Sequence, residues 1–198
     1  MIFHETSIAG AFLIEPEPHR DDRGFFARVH DEAAFEEHGC VGRFAQSSLS
    51  FSARRGTLRG MHWQIPPMGE AKYIRVINGA IQDVIVDLRP WSTSYLQHFS
   101  VELSAEERVA IYVPPYVAHG NQALTDNAEM LYNISSVFAP GYDRGFAYND
   151  PQFGIHWPLE VAVISERDLG WTPLDLAHSA SEIAPAPEAP SSFRLEDH

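Results

Sequence analysis

The chain has 198 residues, a formal net charge of -13 and 44% hydrophobic residues. This composition is typical of a globular protein, and the length suits one all-β domain. The acidic balance argues against nucleic acid or an anionic membrane as a partner, because both bind clustered positive surfaces, but it allows a small anionic ligand.

The sequence also bears on where the protein works. No apolar run approaches the roughly 20 residues that span a bilayer, and residues 1–10 lack the basic and apolar regions of a signal peptide. Cys40 is the only cysteine, so no intrachain disulfide can form. We therefore predict a cytoplasmic protein without a membrane partner.

Short segments rich in β-branched and aromatic residues follow one another along most of the chain. The predicted strands are 11–14, 24–29, 43–50, 72–77, 81–88, 98–103 and 109–113, with a further one at 161–164. A helix is predicted at 31–38, with Asp31 as N-cap and Gly39 ending it. Many short strands without regularly alternating helices favour a β-sandwich or barrel over a nucleotide-binding α/β fold.

Two local signals set the expected pairing and the domain boundary. Asn78-Gly79 separates two predicted strands and is typical of a type I′ hairpin, so we expect the strand from Lys72 to pair with the strand from Ile81. The domain is predicted to span 1–176. Segment 177–198 is rich in Ala, Ser, Pro and Glu, and is predicted to be a flexible tail.

The densest polar cluster in a predicted strand is Leu58-Arg59-Gly60-Met61-His62-Trp63-Gln64. In a regular strand Arg59 and His62 face opposite sides, but a bulge at Gly60 would bring them together. A lone strand histidine is more often structural than catalytic. By spacing alone, Tyr132 is likewise a core aromatic residue and Asp168 a surface carboxylate.

Eight collinear segments between about Glu5 and Leu174 carry a more specific signal. They are 22–26 (DRGFF), 58–64 (LRGMHWQ), 71–72 (AK), 83–89 (DVIVDLR), 118–120 (AHG), 131–132 (LY), 144–145 with 149–151 (RG, NDP), and 165–168 (SERD). Together they resemble the dTDP-4-dehydrorhamnose 3,5-epimerase family. The resemblance implies a cupin-type jelly-roll β-barrel with a few short helices, a homodimer, and an isomerase without cofactor that acts on a nucleotide-diphosphate 4-keto-6-deoxy sugar.

The resemblance also implies roles for individual residues. His62 is the base that removes a proton beside the C4 ketone, and Asp168 orients its imidazole. Tyr132 returns a proton from the opposite face, and Lys72 stabilises the enolate oxygen. The implied substrate-binding residues are Arg23, Phe26, Arg28, Gln46, Ser48, Arg59, His119, Phe138, Arg144 and Arg167, with Arg23 and Arg59 as diphosphate clamps and His119 in support.

Four departures from the family pattern bear on specificity. Arg28 stands where the family typically carries a glutamate, and Gln46-Ser47-Ser48 where it often reads Gln-Asp-Asn. Both lie in the region that holds the nucleoside by resemblance, so we hypothesise a nucleotide other than dTDP. Phe138 replaces a frequent tyrosine, which bears on whether C3, C5 or both are inverted, and Asn121 replaces a common aromatic residue.

Two alternative functions remain open from the sequence. His62 and His119 together allow a metal-dependent cupin enzyme, but cupin metal sites usually take a His-x-His pair and a glutamate, and here His62 is followed by Gln64. We therefore predict no metal. The other alternative is a sugar-nucleotide binding protein without catalysis, for which the four predicted catalytic residues are more than binding requires.

Overall fold

The computed structural model describes residues 1–183, which form thirteen strands and three short helices. The strands are β1 Ile2–Glu5, β2 Phe12–Glu15, β3 His19–Asp21, β4 Gly24–Phe26, β5 Gln46–Ser52, β6 Leu58–Gln64, β7 Lys72–Asn78, β8 Ala80–Asp87, β9 His98–Ser104, β10 Ala110–Val113, β11 Val117–Ala123, β12 Ala128–Ile134 and β13 Asp143–Gly145; the helices are α1 Glu32–Glu37, α2 Glu166–Leu169 and α3 Leu176–Ile183. No helix within residues 1–183 is long and apolar enough to cross a membrane.

Two antiparallel sheets face each other. The six-stranded sheet has the order β1-β2-β10-β7-β12-β5, and the five-stranded sheet has the order β13-β6-β11-β8-β9. Neighbouring strands are mostly not consecutive in the chain, as in a jelly roll. The predicted all-β cupin-type barrel is confirmed.

The main core lies between the sheets. Ile74 and Met130 point inward from the six-stranded sheet and meet Ile81 and Ile85 of β8, all of them fully buried. Burial of such side chains is the main stabilising contribution to a sandwich of this kind. Near one end of this interior the apolar lining gives way to polar side chains, and that is where the site lies.

Two smaller clusters cover the outer faces of the sheets. Outside the six-stranded sheet, Phe35 of α1 packs on Tyr73 and Tyr112. The Asp31 carboxylate accepts a hydrogen bond from the Ala34 backbone N–H, so the predicted N-cap of α1 is confirmed. Outside the five-stranded sheet, Trp63 packs with C-terminal residues.

The predicted hairpin at Asn78-Gly79 is wrong. Strand β7 pairs with β10 and β12, while β8 pairs with β9 and β11 in the other sheet. Both edges of β7 are therefore occupied, and the turn crosses from one sheet to the other. Gly79 has φ +71°, but Asn78 does not have the positive φ that a type I′ turn requires.

The predicted tail begins too early. Residues 177–183 belong to α3, whose Ile183 is fully buried against the outer cluster of the five-stranded sheet. Burial of an isoleucine contributes roughly 1.5–3 kcal/mol, which favours an ordered helix over a flexible segment. The rest of the predicted tail, 184–198, lies outside the described residues.

Candidate active site

A cavity of about 510 Å³ lies between the two sheets, and we call it the central cavity. Its lining residues are Thr57, Leu58, Arg59, His62, Lys72, His119, Asn121, Tyr132, Ile134, Val163, Ile164, Ser165, Arg167 and Asp168. The four predicted catalytic residues are all among them. The volume falls in the range of cavities that bind small ligands.

A bulge in β6 explains why Arg59 and His62 reach the same cavity. Opposite β11, His62 pairs with His119 and Arg59 with Asn121, so β6 carries one extra residue between these two pairs. The extra residue falls at Gly60, which has φ +114° and whose added Cβ would lie 2.5 Å from the Gly120 Cα. The predicted bulge is therefore confirmed.

His62 is held by a carboxylate from outside the barrel. Its Nε2 donates a hydrogen bond of 2.7 Å to Oδ1 of Asp168, which lies in the short helix α2. The second oxygen of Asp168 accepts the Gly60 backbone N–H at 3.1 Å. Because Nε2 is used in this way, Nδ1 is the nitrogen of His62 left to accept a proton.

The Asp168 carboxyl is ionised more readily than an ordinary aspartate. Burial alone would raise its pKa, but the hydrogen bond and charge of His62, with backbone and Ser165 donors, outweigh burial and lower the pKa. The carboxylate therefore carries its negative charge directly beside the His62 imidazole.

A second histidine–aspartate pair lies deeper in the barrel. His119 Nε2 donates to Asp83 Oδ2 at 2.8 Å, and both side chains are almost fully buried. The ring of His119 meets the Tyr132 ring edge to face, with centroids 5.9 Å apart. His119 thus packs against the Tyr132 ring and helps to hold it in place.

Lys72 enters the central cavity from the six-stranded sheet. Its Nζ donates to the backbone oxygen of His62 and pairs with Glu70 Oε1, both at 3.2 Å. Glu70 also accepts a 2.6 Å hydrogen bond from Gln64. The ammonium group is therefore held near His62 by two fixed acceptors, in a position to stabilise a developing negative charge.

The Tyr132 hydroxyl faces the cavity from β12. Burial and the nearby Asp83 carboxylate raise its pKa well above its usual range, while Arg59 and a hydrogen bond from Asn121 act in the opposite direction. The phenol therefore stays protonated near neutral pH, as a proton donor must.

The two cavity arginines differ in how they are neutralised. Arg167 forms an ion pair with Asp143. Arg59 donates to the Phe51 backbone oxygen at 2.8 Å and to Ser52, and within residues 1–183 it pairs with no carboxylate. An arginine whose charge is free of carboxylates suits a diphosphate, so Arg59 is the stronger candidate clamp.

The metal alternative has little support in the donor set. Across residues 1–183, no three His, Cys, Asp or Glu side chains converge as metal ligands would. Two imidazoles without a carboxylate from the same strand make a weak set of metal ligands.

Comparison with known proteins identifies the family. A family model described as dTDP-4-dehydrorhamnose 3,5-epimerase matches residues 5–175. The chain belongs to the dTDP-4-dehydrorhamnose 3,5-epimerase family. The predicted family is thus confirmed, and with it an isomerase of the carbohydrate epimerase type.

Individual relatives of this epimerase family cover most of the chain. A dTDP-4-dehydrorhamnose 3,5-epimerase from Methanothermobacter thermautotrophicus is 44% identical over 176 residues, which are 87% of this chain and 94% of the relative. The dTDP-4-dehydrorhamnose 3,5-epimerase of Bacillus anthracis, solved with TDP and PPi bound, has a TM-score of 0.83 at 35% identity and covers 87% and 99% of the two chains. ChmJ, a 3'-monoepimerase from Streptomyces bikiniensis solved with dTDP-quinovose, has a TM-score of 0.81 at 33% identity and covers 91% of each chain.

Three predicted substrate-binding residues of this epimerase-family chain lie away from the central cavity. Arg23 is exposed on the β3–β4 hairpin and pairs with Asp21. Phe26 is 77% exposed, and it lines a separate cavity with Arg28, whose guanidinium pairs with Asp31 at 2.6 Å. The described chain does not bring these residues to His62.

Four other predicted substrate-binding residues lie in two places, three of them near the central cavity and one at a different cavity. Ser48 and Gln46 lie opposite Tyr132 and Ile134 on β5, beside the cavity lining, and Gln46 accepts the backbone N–H of the exposed Phe138 at 3.1 Å. Ser48 and Gln46 therefore lie next to lining residues of the central cavity, and Phe138 contacts Gln46. Arg144 instead makes a bidentate pair with Glu182 of α3 and lines a different cavity with Trp63 and Trp171, so within this chain it lies away from the central cavity.

Sequence reasoning missed two acids that organise the site. Asp83 supports His119, and its signal is a carboxylate between Ile81 and Ile85 on the inward face of β8, where an unpaired acid is rare. Glu70 supports Lys72 from two residues upstream. No local pattern distinguishes Glu70 from a surface glutamate, because its role depends on the fold of the loop before β7.

Proposed function

We propose that this protein epimerises a dTDP-linked 4-keto-6-deoxy sugar, with His62 as base and Tyr132 as acid. One observation carries the proposal. His62 belongs to the five-stranded sheet and Tyr132 to the six-stranded sheet, and both line the same cavity. A sugar ring between the sheets would therefore meet a base on one face and a protonated phenol on the other, which is what inversion at carbon requires.

The chemistry follows from the ketone. His62 Nδ1 takes the hydrogen of a carbon next to C4, and the electron pair of that C–H bond moves onto the ketone oxygen to give an enolate. The Lys72 ammonium stabilises this oxygen, and the Asp168 carboxylate stabilises the imidazolium. The enolate then takes the Tyr132 proton from the opposite face, which inverts the carbon and leaves a phenolate that solvent reprotonates.

Two observations bear on which nucleotide carries the sugar, and they favour different answers. Solved relatives hold TDP or dTDP-quinovose, which favours dTDP as the carrier. Arg28 in place of a glutamate favours the hypothesis of another base, although its guanidinium is engaged by Asp31. Titration calorimetry against dTDP, CDP, UDP and GDP separates the two, and a clear preference for dTDP removes the second hypothesis.

Deuterium exchange tests the reaction itself. The protein is incubated in heavy water with dTDP-4-keto-6-deoxyglucose, and deuterium at C3 and C5 is followed by NMR. Label with inversion at both carbons indicates a double epimerase, and label with inversion at one carbon indicates a single epimerase, as the name of the 3'-monoepimerase relative describes. Binding without label at either carbon contradicts the proposal.

We also propose that the protein acts as a homodimer whose sites are shared between chains. Leu49 and Phe51 are 63% and 51% exposed on the outer face of edge strand β5, and Phe26 is exposed on the hairpin. Two exposed apolar side chains on one edge strand, such as Leu49 and Phe51, are typical of an interface. If Arg23 and Phe26 bind substrate, as the resemblance implies, they do so in the cavity of the partner chain.

Mixing two inactive variants tests the shared site. Each variant alone, His62→Ala or Arg23→Ala, is expected to have little epimerase activity. In a randomly mixed dimer population half the dimers carry both variants, and one of the two cavities in such a dimer is intact, so about a quarter of wild-type activity returns. No recovery on mixing, or a monomer by light scattering, contradicts the shared site. The cytoplasmic location stays a prediction.

A further inference from the structure

Asn121 is a polar residue of the central cavity that the reaction outlined above does not use. It lies on β11 two residues after His119, so both side chains point to the same face of the strand. Only 2% of its surface is exposed. Its Nδ2 donates a 3.2 Å hydrogen bond across the barrel to the Tyr132 hydroxyl oxygen. Its Oδ1 is buried and has no hydrogen-bond partner within residues 1–183.

The hydroxyl of Tyr132 has few other contacts. It has one proton to donate and can accept hydrogen bonds at its oxygen. Apart from Asn121, its contact among the described residues is the Met130 sulfur at 3.7 Å, a weak acceptor. Since the Asn121 N–H approaches the oxygen, that oxygen acts as an acceptor there, and the proton is left to point elsewhere.

We propose that Asn121 is a positioning residue for Tyr132, which leaves the hydroxyl proton free to turn into the cavity and stabilises the phenolate formed when that proton is given up. This inference rests on the function proposed above for Tyr132. It assigns to Asn121 a task in proton return and none in proton removal by His62.

The charges around Tyr132 show why such a donor is needed. Asp83 lies directly across from Asn121 in the β11–β8 register, and its carboxylate opposes a negative charge on Tyr132. A hydrogen bond to an ionised oxygen is about twice as strong as one to a neutral oxygen. The Asn121 N–H therefore stabilises the phenolate more than the phenol, and so lowers the barrier rather than only binding the ground state.

The unpartnered Oδ1 indicates that Asn121 is not present for stability. A buried carbonyl oxygen without a donor lowers the free energy of unfolding. Leucine has a similar shape and no polar atom, so it removes this cost while it also removes the donor. A residue that favours activity at the expense of stability is typical of a functional site.

The deciding experiment compares inversion with exchange in three variants. Wild type, Asn121→Leu and Asn121→Asp are incubated with dTDP-4-keto-6-deoxyglucose in heavy water, and NMR separates sugar that has gained deuterium with retention from sugar that has inverted. Because the His62 ring is 35% exposed and can exchange its proton with solvent, exchange with retention continues when proton return by Tyr132 fails.

We expect Asn121→Leu to lower kcat for inversion about 10- to 100-fold, the effect of losing one hydrogen bond to a charged group. KM changes little, the ratio of exchange to inversion rises, and the melting temperature does not fall. Asn121→Asp offers only acceptors and adds a charge beside Asp83, so its inversion is slower still. If Asn121→Asp does not stay folded, the leucine variant alone decides.

The matched control is Gln122→Leu, the same change one residue along β11. Gln122 faces the other side of the sheet and exchanges two hydrogen bonds with the Leu159 backbone, so this variant loses stability but keeps the wild-type ratio. Inversion by Asn121→Leu at the wild-type rate and ratio, or a higher rate in Asn121→Asp than in Asn121→Leu, overturns the inference. Absence of exchange in the wild type instead overturns the proposed function.

Discussion

The barrel contains two histidine–aspartate pairs with nearly the same geometry and different surroundings. His62 and His119 lie directly opposite each other on neighbouring strands, and each donates from Nε2 to an aspartate, at 2.7 Å and 2.8 Å. The exposed fraction of the side chain is 35% for His62 and 5% for His119. Hydrogen bonding alone therefore does not distinguish a catalytic pair from a supporting one.

The origin of the aspartate separates the pairs more clearly. Asp83 comes from the adjacent strand and stays within the sheet, with one oxygen unpartnered among the described residues. Asp168 comes from helix α2 beyond the barrel, and both of its oxygens accept hydrogen bonds. We propose that the more exposed pair, His62–Asp168, exchanges protons with the substrate, and that the buried pair, His119–Asp83, acts through the Tyr132 ring. We call the first the open pair and the second the closed pair.

The largest expected effect comes from removing each imidazole in turn. His62→Ala should abolish deuterium exchange at every carbon, because a general base contributes on the order of 10² to 10⁴ in rate. His119→Ala should slow inversion by roughly 10- to 100-fold and leave some exchange, since it only misplaces Tyr132. NMR in heavy water measures both.

Added imidazole sharpens this contrast. The position of His62 is open to the cavity, so free imidazole should restore part of the exchange in His62→Ala. It should help His119→Ala less, because the His119 side chain is only 5% exposed and the space left there is harder to reach. Equal loss in both variants would mean that the two pairs do not differ in role, and rescue of His119→Ala alone would mean that their roles are reversed.

A smaller effect is expected from neutralising each aspartate without a change of shape. Asp168→Asn removes the charge that favours the imidazolium, so kcat should fall about 10²-fold or more with little change in KM. Asp83→Asn keeps a hydrogen-bonding group beside His119, so kcat should fall about 10-fold or less. It also weakens a buried hydrogen-bonded pair, so its melting temperature should fall. A larger loss of kcat in Asp83→Asn contradicts the assignment.

The sequence predicts the open pair better than the closed one. The segments around His62 and Asp168 match a family pattern, and the bulge at Gly60 follows from glycine inside a strand. Asp83 lies in a segment that also matches, but which histidine it serves depends on strand order. The pairing of β8 with β11 joins segments far apart in the chain, and periodicity within one strand carries no information about it.

The same limit explains the errors in the fold. Asn78-Gly79 has the composition of a hairpin, but β7 already has β10 and β12 as neighbours, so tertiary pairing overrides the local signal. The sequence of helix α3 has the composition of a flexible tail. It is ordered because Ile183 is buried in the cluster outside the five-stranded sheet. In both cases the deciding contact lies outside the window in which the local pattern is read.

The smallest expected effect is on acid stability. Burial would raise the pKa of Asp168, but its hydrogen bonds lower it below the ordinary value of 3.8, so folding favours the ionised form. This contribution to the free energy of unfolding is fully present above the unfolded-state pKa and is lost as the pH falls through the lower folded-state pKa. Unfolding by urea, followed between about pH 6 and pH 3, should therefore show a shallower acid loss in Asp168→Asn than in wild type.

Asp87 is the necessary control for that measurement. Burial would raise its pKa too, and hydrogen bonds from Arg89, Ser92 and Ser94 lower it, so it contributes acid sensitivity of the same sign far from the cavity. We call the fall of the unfolding free energy at acid pH the acid limb. Asp87→Asn should make the acid limb shallower without changing deuterium exchange at the sugar carbons, whereas Asp168→Asn should change both. If Asp168→Asn leaves the acid limb as steep as in wild type, its carboxylate is not stabilised by His62 in the folded protein, and the distinction between the two pairs loses its electrostatic basis.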